Sequence, residues 1–355
     1  MSTLAEPAVT AYPALNTTQR ESLIQRVSKA VEERIWDPAF QKERWRDAVG
    51  QSRGHLLDAI DMAEFERRMD SLVRQAADYV SVKSRDLGFF HKSKRKTHAS
   101  RLASHFRYCQ PNECSPSLTR PSDGGDVLYS KLNQDTGWLK VTKFPGAVGV
   151  EIANQITEAV RELADCKRLI VDLRGNESGG LAFVRVASYL TPDRRTIGYS
   201  VTRQGAERGS VDGLKTFGWV PRIKPGLLWL VAKYGFSDPS VRVETEGLGK
   251  YPFHGRTVLL IDEATTGAGE RIAAFAAEER LAPLVGTRTA GQVICSDSRS
   301  VGDDFVVRIP SRAWYTPSKQ LIEGSGVEPT VRVLQGDGSS ADPQLDRAIE
   351  IASAL

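Results

Sequence analysis

The sequence predicts an α/β fold with a helical segment in front of it. From Val127 onward, short runs of β-branched and apolar residues alternate with segments of helical length. Before them, two stretches carry apolar residues at helical spacing. We therefore expect an N-terminal helical subdomain at 1–110, a connector at 111–126 and an α/β core domain at 127–355.

Two helices are predicted in the front segment. The first lies in "NTTQRESLIQRVSKAVEERI", where Thr18 and Glu21 are spaced as a capping box. The second lies in "DMAEFERRMDSLVRQAADYV", where Asp61 and Glu64 can cap the start. Their apolar stripes are typical of helix–helix cores.

The core segment contains seven strand candidates, which are "VLYSKL", "GWLKVTKF", "RLIVDLRG", "TIGYSVTR", "TVLLIDE", "PLVGTR" and "FVVRIPSRAWYT". Its helix candidates are Val150–Ala164, Leu181–Leu190, Glu270–Glu279 and Pro343–Leu355. This alternation predicts a mainly parallel or mixed sheet that helices cover on both faces.

Composition is ordinary for a globular protein and excludes several function classes. The 355 residues carry 48 basic and 44 acidic side chains, and a net charge of +4 does not indicate a nucleic-acid partner. No apolar run approaches the roughly 18 residues of a membrane span, and the first residues do not resemble a signal peptide. Four cysteines are too few for a disulfide framework. We expect a cytoplasmic protein without a metal or cofactor.

A zinc site that uses His105, Cys109 and Cys114 is one alternative interpretation of residues 91–114. His91, His98 and His105 recur every seven residues, and Cys109 and Cys114 follow them. Their spacing matches no strong zinc pattern, so we interpret them as solvated or core residues.

Two glycine-containing turns follow predicted strands and open predicted helices. They are "LIVDLRGNESGG" and "LLIDEATTGAGE". In open α/β sheets, ligands bind outside the carboxyl ends of the strands. Glycines at such turns leave backbone N–H groups uncovered, and N–H groups aimed at one point can form an oxyanion hole. Two tight turns without function remain the alternative.

These turns and their surroundings resemble the tail-specific, or C-terminal-processing, serine peptidases. The resemblance covers about residues 125–335, from "GWLKVTKF" to "IPSRAWYTPSKQLIEGSGVEPTVRV", with its pieces in the family order. It implies a crotonase-like (ClpP/crotonase) core of ββα units. The family's PDZ domain has no room between the front helices and the core.

The resemblance also locates the family's catalytic positions, and this chain departs from each. The family's Ser-Ala-x-Glu turn corresponds to "GAGE", so the serine position is Gly267. The lysine position after "TAG" is Gln292, and the histidine position of the tricorn-like branch is Asp86. Glycine cannot attack a carbonyl and glutamine cannot accept a proton near neutral pH. We therefore predict that the conventional Ser-Lys dyad is lost.

Other residues could act at this site. Thr266 and Glu270 are possible substitutes in catalysis, although Thr266 is better placed to satisfy backbone groups and Glu270 complements a helix dipole. Cys295 is interpreted as a buried, inert thiol. The predicted oxyanion or substrate-binding residues are Gly267, Gly179, Gly180, Asn176 and Ser178.

Three functions stay open at this point. The favoured one is a repurposed oxyanion-hole enzyme acting on an acyl, peptide-like or small-molecule substrate. The second is a non-catalytic pseudopeptidase that binds a peptide tail or an apolar ligand, and the third is a peptidase with a substitute nucleophile. A perturbed acid–base group near Gly267 would favour an enzyme.

Overall fold

A computed structural model describes residues 15–81, 86–92, 125–146, 148–177, 179–209, 211, 213–220, 240–248, 253, 255–335 and 342–354. The helices are α1 (Thr17–Arg34), α2 (Lys42–Leu57), α3 (Met62–Gln75), α4 (Val150–Glu162), α5 (Phe183–Tyr189), α6 (Arg203–Glu207), α7 (Ala268–Glu278) and α8 (Pro343–Ala354). The strands are β1 (Gly88–His91), β2 (Val127–Lys131), β3 (Thr136–Val141), β4 (Arg168–Asp172), β5 (Thr196–Thr202), β6 (Lys215–Phe217), β7 (Val241–Glu244), β8 (Arg256–Ile261), β9 (Leu284–Gly286), β10 (Cys295–Gly302), β11 (Phe305–Tyr315) and β12 (Val331–Arg332).

These elements form two compact units. The first comprises the described part of residues 1–108 together with 296–311, and the second comprises the described part of 109–295 and 312–355. The predicted division at 110 and 126 remains a prediction, because residues 93–124 lie outside the described part of the chain.

Helices α1, α2 and α3 build the core of the first unit. Their apolar side chains pack together with those of β1 and of the start of β11, including Trp45, Phe65, Phe89 and Phe305. Helix α2 was not predicted from the sequence. Its buried side chains are few, and Gly50 and Gly54 lower its intrinsic helix propensity, so its periodic signal is weak.

The start of α1 differs from the prediction. Asn16, rather than Thr18, is the N-cap: its side chain accepts a hydrogen bond from the N–H of Gln19, and the Gln19 side chain accepts one from the N–H of Asn16. The capping box therefore lies two residues earlier than expected, and Glu21 lies within the helix. The cap of α3 at Asp61 is confirmed, because its carboxylate accepts a hydrogen bond from the Glu64 N–H.

The second unit contains a sheet in the order β12-β9-β8-β4-β3-β2. Neighbouring strands are parallel except for the hairpin of β2 and β3. Side chains of β4 and β8 are buried on both faces: Leu169 and Leu259 belong to the core with α4, α5 and α7, and Ile170 and Leu260 to the core with α8. The predicted mixed sheet with helices on both faces is confirmed.

A smaller group of strands also belongs to the second unit. Strand β5 pairs antiparallel with β7 and with Arg312–Tyr315 of β11, while β6 runs parallel to β7. This pairing brings Trp314 against Phe183 of α5, with ring centroids 5.7 Å apart. Both rings contact the guanidinium of Arg271, which lies near the start of α7.

The register of β4 and β8 decides where the two glycine turns lie. These strands are parallel neighbours, with Asp172 opposite Leu260. Their carboxyl ends therefore lie side by side, and the turns that follow them meet at one edge of the sheet. This edge is the candidate functional site.

Candidate functional site

Asp262 joins the two turns. Its carboxylate accepts hydrogen bonds from the Gly175 N–H at 2.9 Å and from the Thr265 hydroxyl at 2.8 Å. The Thr265 hydroxyl also lies 2.9 Å from the carbonyl oxygen of Leu173. Burial raises the pKa of Asp262, and the bonds from Gly175 and Thr265 partly offset that rise. Asp262 thus holds the turn after β4 against the turn after β8.

Gly267 occupies a backbone conformation that glycine permits. It is the N-cap of α7, with φ 52° and ψ −107°. In α/β hydrolases the nucleophilic serine lies on a similarly sharp, strained turn between a strand and a helix. Here the backbone keeps a turn of that kind, but the residue has no side chain to present. The Gly267 N–H donates a 2.9 Å hydrogen bond to the carbonyl oxygen of Gln292.

Thr266 has a backbone role. Its N–H and its hydroxyl lie 2.9 and 3.1 Å from the carbonyl oxygen of Asn176 and donate to it. The hydroxyl therefore ties the turn after β8 to the turn after β4. No base among the described residues accepts its proton, so the geometry does not favour Thr266 as a substitute nucleophile.

Glu270 is fully buried on the first turn of α7. One carboxylate oxygen accepts hydrogen bonds of 2.6 Å from the Thr289 hydroxyl and from the Gly291 N–H. The other accepts one of 2.7 Å from the Gln292 N–H. Burial raises the pKa of Glu270, and these bonds partly offset the rise. The carboxylate fixes the segment from Thr289 to Gln292 to helix α7.

Asn176 and Gly180 position the first turn. The Asn176 amide donates to the carbonyl oxygen of Val141 at 2.8 Å, and its N–H donates to that of Leu173. The Gly180 N–H donates to the carbonyl oxygen of Phe144 at 3.1 Å. A Cβ atom at Gly180 would come within 2.5 Å of that oxygen, so only glycine fits this close approach.

Two of the predicted oxyanion or substrate-binding residues have their N–H groups occupied. The N–H groups of Gly267 and Gly180 each donate to a carbonyl oxygen. The oxyanion role of these turns stays a prediction. Among the described residues, the N–H groups of Ala268 and Gly179 have no hydrogen-bond acceptor. Gly179 is exposed. Ser178, also predicted here, lies outside the described residues.

Asp86 belongs to the first unit. Its carboxylate lies 3.0 Å from the guanidinium of Arg308, and both side chains are partly exposed. Its correspondence with the tricorn-like histidine stays a prediction. His98, His105, Cys109 and Cys114 lie outside the described residues. Within the ranges that are described, no group of three or more His, Cys, Asp or Glu side chains is arranged to hold a metal ion.

Sequence reasoning missed Arg271, which follows Glu270 on α7. Its side chain is 3% exposed. One guanidinium nitrogen lies 2.8 Å from the carbonyl oxygen of Val293 and 2.9 Å from the sulfur of Cys295. Cys295 is half-buried and contacts this charge, so it is not the fully buried thiol we expected. An arginine inside the apolar run "RIAAFAA" was the signal that could have identified it.

Comparisons with known proteins identify the family of this chain. The profile of peptidase family S41 matches residues 135–333. The carboxy-terminal processing protease CtpA of Bacillus subtilis is 23% identical over 231 residues, which are 65% of this chain and 42% of that protein. The carboxyl-terminal-processing protease of Picosynechococcus is 23% identical over 244 residues, or 66% of this chain and 50% of that protein. The chain thus spans at most about half the length of these two relatives.

Two solved structures share the fold. A lipoprotein from Streptococcus agalactiae gives a TM-score of 0.58 at 14% identity, covering 98% of this chain and 100% of that one. The photosystem II D1 C-terminal processing protease gives 0.55 at 14% identity, covering 94% and 97%. The predicted crotonase-like α/β core and the resemblance to tail-specific peptidases are confirmed. None of the described helices is both long and apolar enough to cross a membrane. The chain belongs to peptidase family S41.

Proposed function

We propose that this S41 member binds a peptide-like ligand at the turn between β8 and α7 and does not cleave it by conventional serine–lysine chemistry. Gly267 supplies no nucleophile and Gln292 supplies no base. The two turns nevertheless remain joined through Asp262 and through Thr266. The scaffold of the site is kept while its reacting groups are absent.

The observation that carries this proposal is the hydrogen bonding of Glu270. It is the ionisable group nearest to Gly267 along the chain, and three donors occupy its two oxygens. A general base must reach the proton that it abstracts. A carboxylate whose oxygens hold Thr289, Gly291 and Gln292 is instead a structural clamp. This is why we place a binding function ahead of the repurposed enzyme.

The class of ligand follows from the relatives. Both curated relatives are named for processing carboxy termini. We therefore propose a peptide tail as the ligand rather than an apolar small molecule.

One observation favours a second candidate, the repurposed oxyanion-hole enzyme. The N–H of Ala268 is at the start of α7 and has no acceptor among the described residues. N–H groups at a helix N-terminus attract negative charge, and oxyanion stabilisation is worth roughly 3–4 kcal/mol in known enzymes. Such a site could act on a substrate that carries its own nucleophile.

The test is an assay of the full chain with unstructured peptides, casein and p-nitrophenyl acetate. We expect wild-type protein to bind the peptides, measured by calorimetry, and to release no product. Gly267→Ser/Gln292→Lys should gain hydrolysis over the matched control Gly267→Ala/Gln292→Lys, which has the same backbone demand but no hydroxyl. Cleavage by wild type that Thr266→Ala or Cys295→Ala abolishes would establish a substitute nucleophile and refute the proposal. Wild-type turnover that survives both changes would instead favour the second candidate.

A further inference from the structure

We propose that Arg271 is a recognition site for the carboxylate of the ligand bound at this turn. The proposal rests on the proposed function, because it names the chemistry by which that ligand is held. The site consists of the guanidinium, its aromatic neighbours Phe183 and Trp314, and the exposed Gly179 beside it.

The guanidinium of Arg271 has no carboxylate partner among the described residues. Its side chain is 3% exposed, yet among the described residues no carboxylate lies within salt-bridge distance of it. The buried arginines Arg174 and Arg185 of the same unit each pair with a carboxylate. Buried charges are ordinarily paired, because removing an ion from water is costly. A bound anion would therefore balance the positive charge of Arg271.

The hydrogen bonds of Arg271 are incomplete as well. A guanidinium has five N–H donors. Its neighbours are the Val293 carbonyl oxygen, the Cys295 sulfur and, at a long 3.5 Å, the Gly179 carbonyl oxygen. The buried Nε has no hydrogen-bond partner in the described part of the chain. A carboxylate can satisfy such an edge with two parallel hydrogen bonds.

Two aromatic rings fix the guanidinium. Its central carbon lies 4.6 Å from the ring centroid of Trp314 and 5.6 Å from that of Phe183. Arginine on aromatic faces keeps its edges available for planar recognition of a carboxylate. The side chain is thus held in place before a ligand arrives, so binding loses little side-chain entropy.

Gly179 lies beside the guanidinium. This residue is exposed, and a Cβ atom built on it would lie 3.7 Å from both terminal guanidinium nitrogens. Because glycine has no side chain, no Cβ atom occupies this position beside the charge. The half-buried Cys295 lies on the same guanidinium.

The backbone of Arg271 is joined directly to the turn. Its N–H donates a 3.1 Å hydrogen bond to the carbonyl oxygen of Gly267, one helical turn earlier. Arg271 and Gly267 therefore belong to the same first turn of α7.

The experiment follows the arginine Nε–H signals of the full ¹⁵N-labelled chain by NMR. The signal of Arg271 is assigned by its loss in Arg271→Lys. The probes are N-acetyl-trialanine, its C-terminal amide and sodium acetate, each at constant ionic strength in chloride. We expect the peptide acid to shift the Arg271 signal saturably and to bind at least about tenfold more tightly than the amide, since bonds to charged groups are the strong ones.

Two variants sharpen the test. Gly179→Val should weaken binding of the peptide acid by at least about tenfold while the Arg271 signal persists, because the added side chain covers the guanidinium. Arg271→Lys keeps a charge but not the planar fork, so it should restore only part of the affinity that Arg271→Met loses. Wild-type affinity in all three variants would overturn the proposal.

Each remaining outcome decides a separate point. Equal binding of acid and amide would overturn carboxylate recognition but leave peptide binding intact. Acetate that binds as tightly as the peptide acid would support the site and identify a small acid, rather than a peptide tail, as its source. No response of the Arg271 signal to any probe would overturn this proposal, and the calorimetry described above then decides whether the peptide binds elsewhere. A response that appears only in Cys295→Ser would show that the sulfur already balances the charge, and would overturn this proposal alone.

Discussion

Two buried arginines of the second unit, Arg174 and Arg271, illustrate two different uses of a guanidinium. Arg174 follows β4 and makes a bidentate pair with Asp172, with nitrogen–oxygen distances of 2.9 and 2.7 Å, and a further bond of 2.8 Å to Asp342. Arg271 is equally buried but contacts neutral groups and aromatic rings. The first arginine is structurally complete, whereas the second leaves a donor unused beside the candidate site.

The ion pair with Arg174 also determines the ionisation of Asp172. Burial alone would raise the pKa of this fully buried carboxyl, but Arg174 and Lys140 hold it well below its ordinary value. The neighbouring positive charges therefore favour the ionised form of Asp172 in the folded chain. This ion pair anchors the turn after β4, and it leaves no unpaired charge for a ligand to bind.

The largest expected effect is the loss of this pair. Arg174→Met leaves the carboxylate of Asp172 buried with only Lys140, 3.7 Å away, as a counter-charge. Breaking a buried pair by removing one partner typically costs about 3–5 kcal/mol. We expect a loss of this size in the free energy of unfolding, measured by urea denaturation. A loss below about 1 kcal/mol would show that Arg174 is not the anchor.

The second largest expected loss of stability comes from removing the carboxylate of Glu270. Glu270→Gln places an amide NH₂ against backbone donors, so at least one buried N–H loses its acceptor. Such a change costs about 1–3 kcal/mol, and urea denaturation at pH 7 measures it. The matched control is Glu158→Gln on the exposed face of α4, which should stay within about 0.5 kcal/mol of wild type. Equal stability of the two variants would contradict the role of Glu270 as a clamp.

Arg271→Met should change stability little, in contrast with Arg174→Met. The substitution removes a buried charge that has no carboxylate partner among the described residues, and methionine fills part of the same volume. The carbonyl oxygen of Val293 loses one donor, so we expect a loss of about 1 kcal/mol or less in urea denaturation. A loss as large as that of Arg174→Met would mean that Arg271 is structural, and the comparison would fail.

The smallest effect concerns pH. Because burial raises the folded-state pKa of Glu270 above the ordinary value of 4.5, the folded chain holds this proton more tightly than the unfolded chain. Its contribution to stability is therefore fully present below pH 4.5 and is lost as the pH rises through the folded value. Wild type should be more stable relative to Glu270→Gln at pH 4 than at pH 7. Denaturation series at both values measure this, and the opposite slope would show that the three donors outweigh burial.

The parallel sheet was predictable from the sequence because its strands are local apolar runs. β4 and β8 read as "LIVD" and "VLLI", and the glycine turns that follow them are visible without any tertiary information. Their register, however, decides that the turns meet. That register consists of pairs between residues almost ninety positions apart, such as Asp172 with Leu260, so a local stretch of sequence does not reveal it.

The surroundings of Arg271 could not be predicted from the sequence in the same way. Its sequence neighbours indicate only a buried helix, and the groups around it come from distant segments: Gly179, Phe183, Val293, Cys295 and Trp314. The same limit applies to the oxyanion donors. Whether the N–H of Gly180 is available depends on the carbonyl oxygen of Phe144, which lies on another segment. Residue type predicted the turns, but hydrogen-bond partners decide their chemistry.

The most direct test of the central claim is a crystal structure of the full wild-type chain soaked with N-acetyl-trialanine. The account predicts an intact peptide whose carboxylate lies within hydrogen-bond distance of the Arg271 guanidinium and whose backbone reaches the turn at Gly267. A cleaved peptide, or one covalently attached to Thr266 or Cys295, would contradict the proposal that the chain binds a peptide without cleaving it. An intact peptide bound with its carboxylate away from Arg271 would contradict the assignment of that arginine.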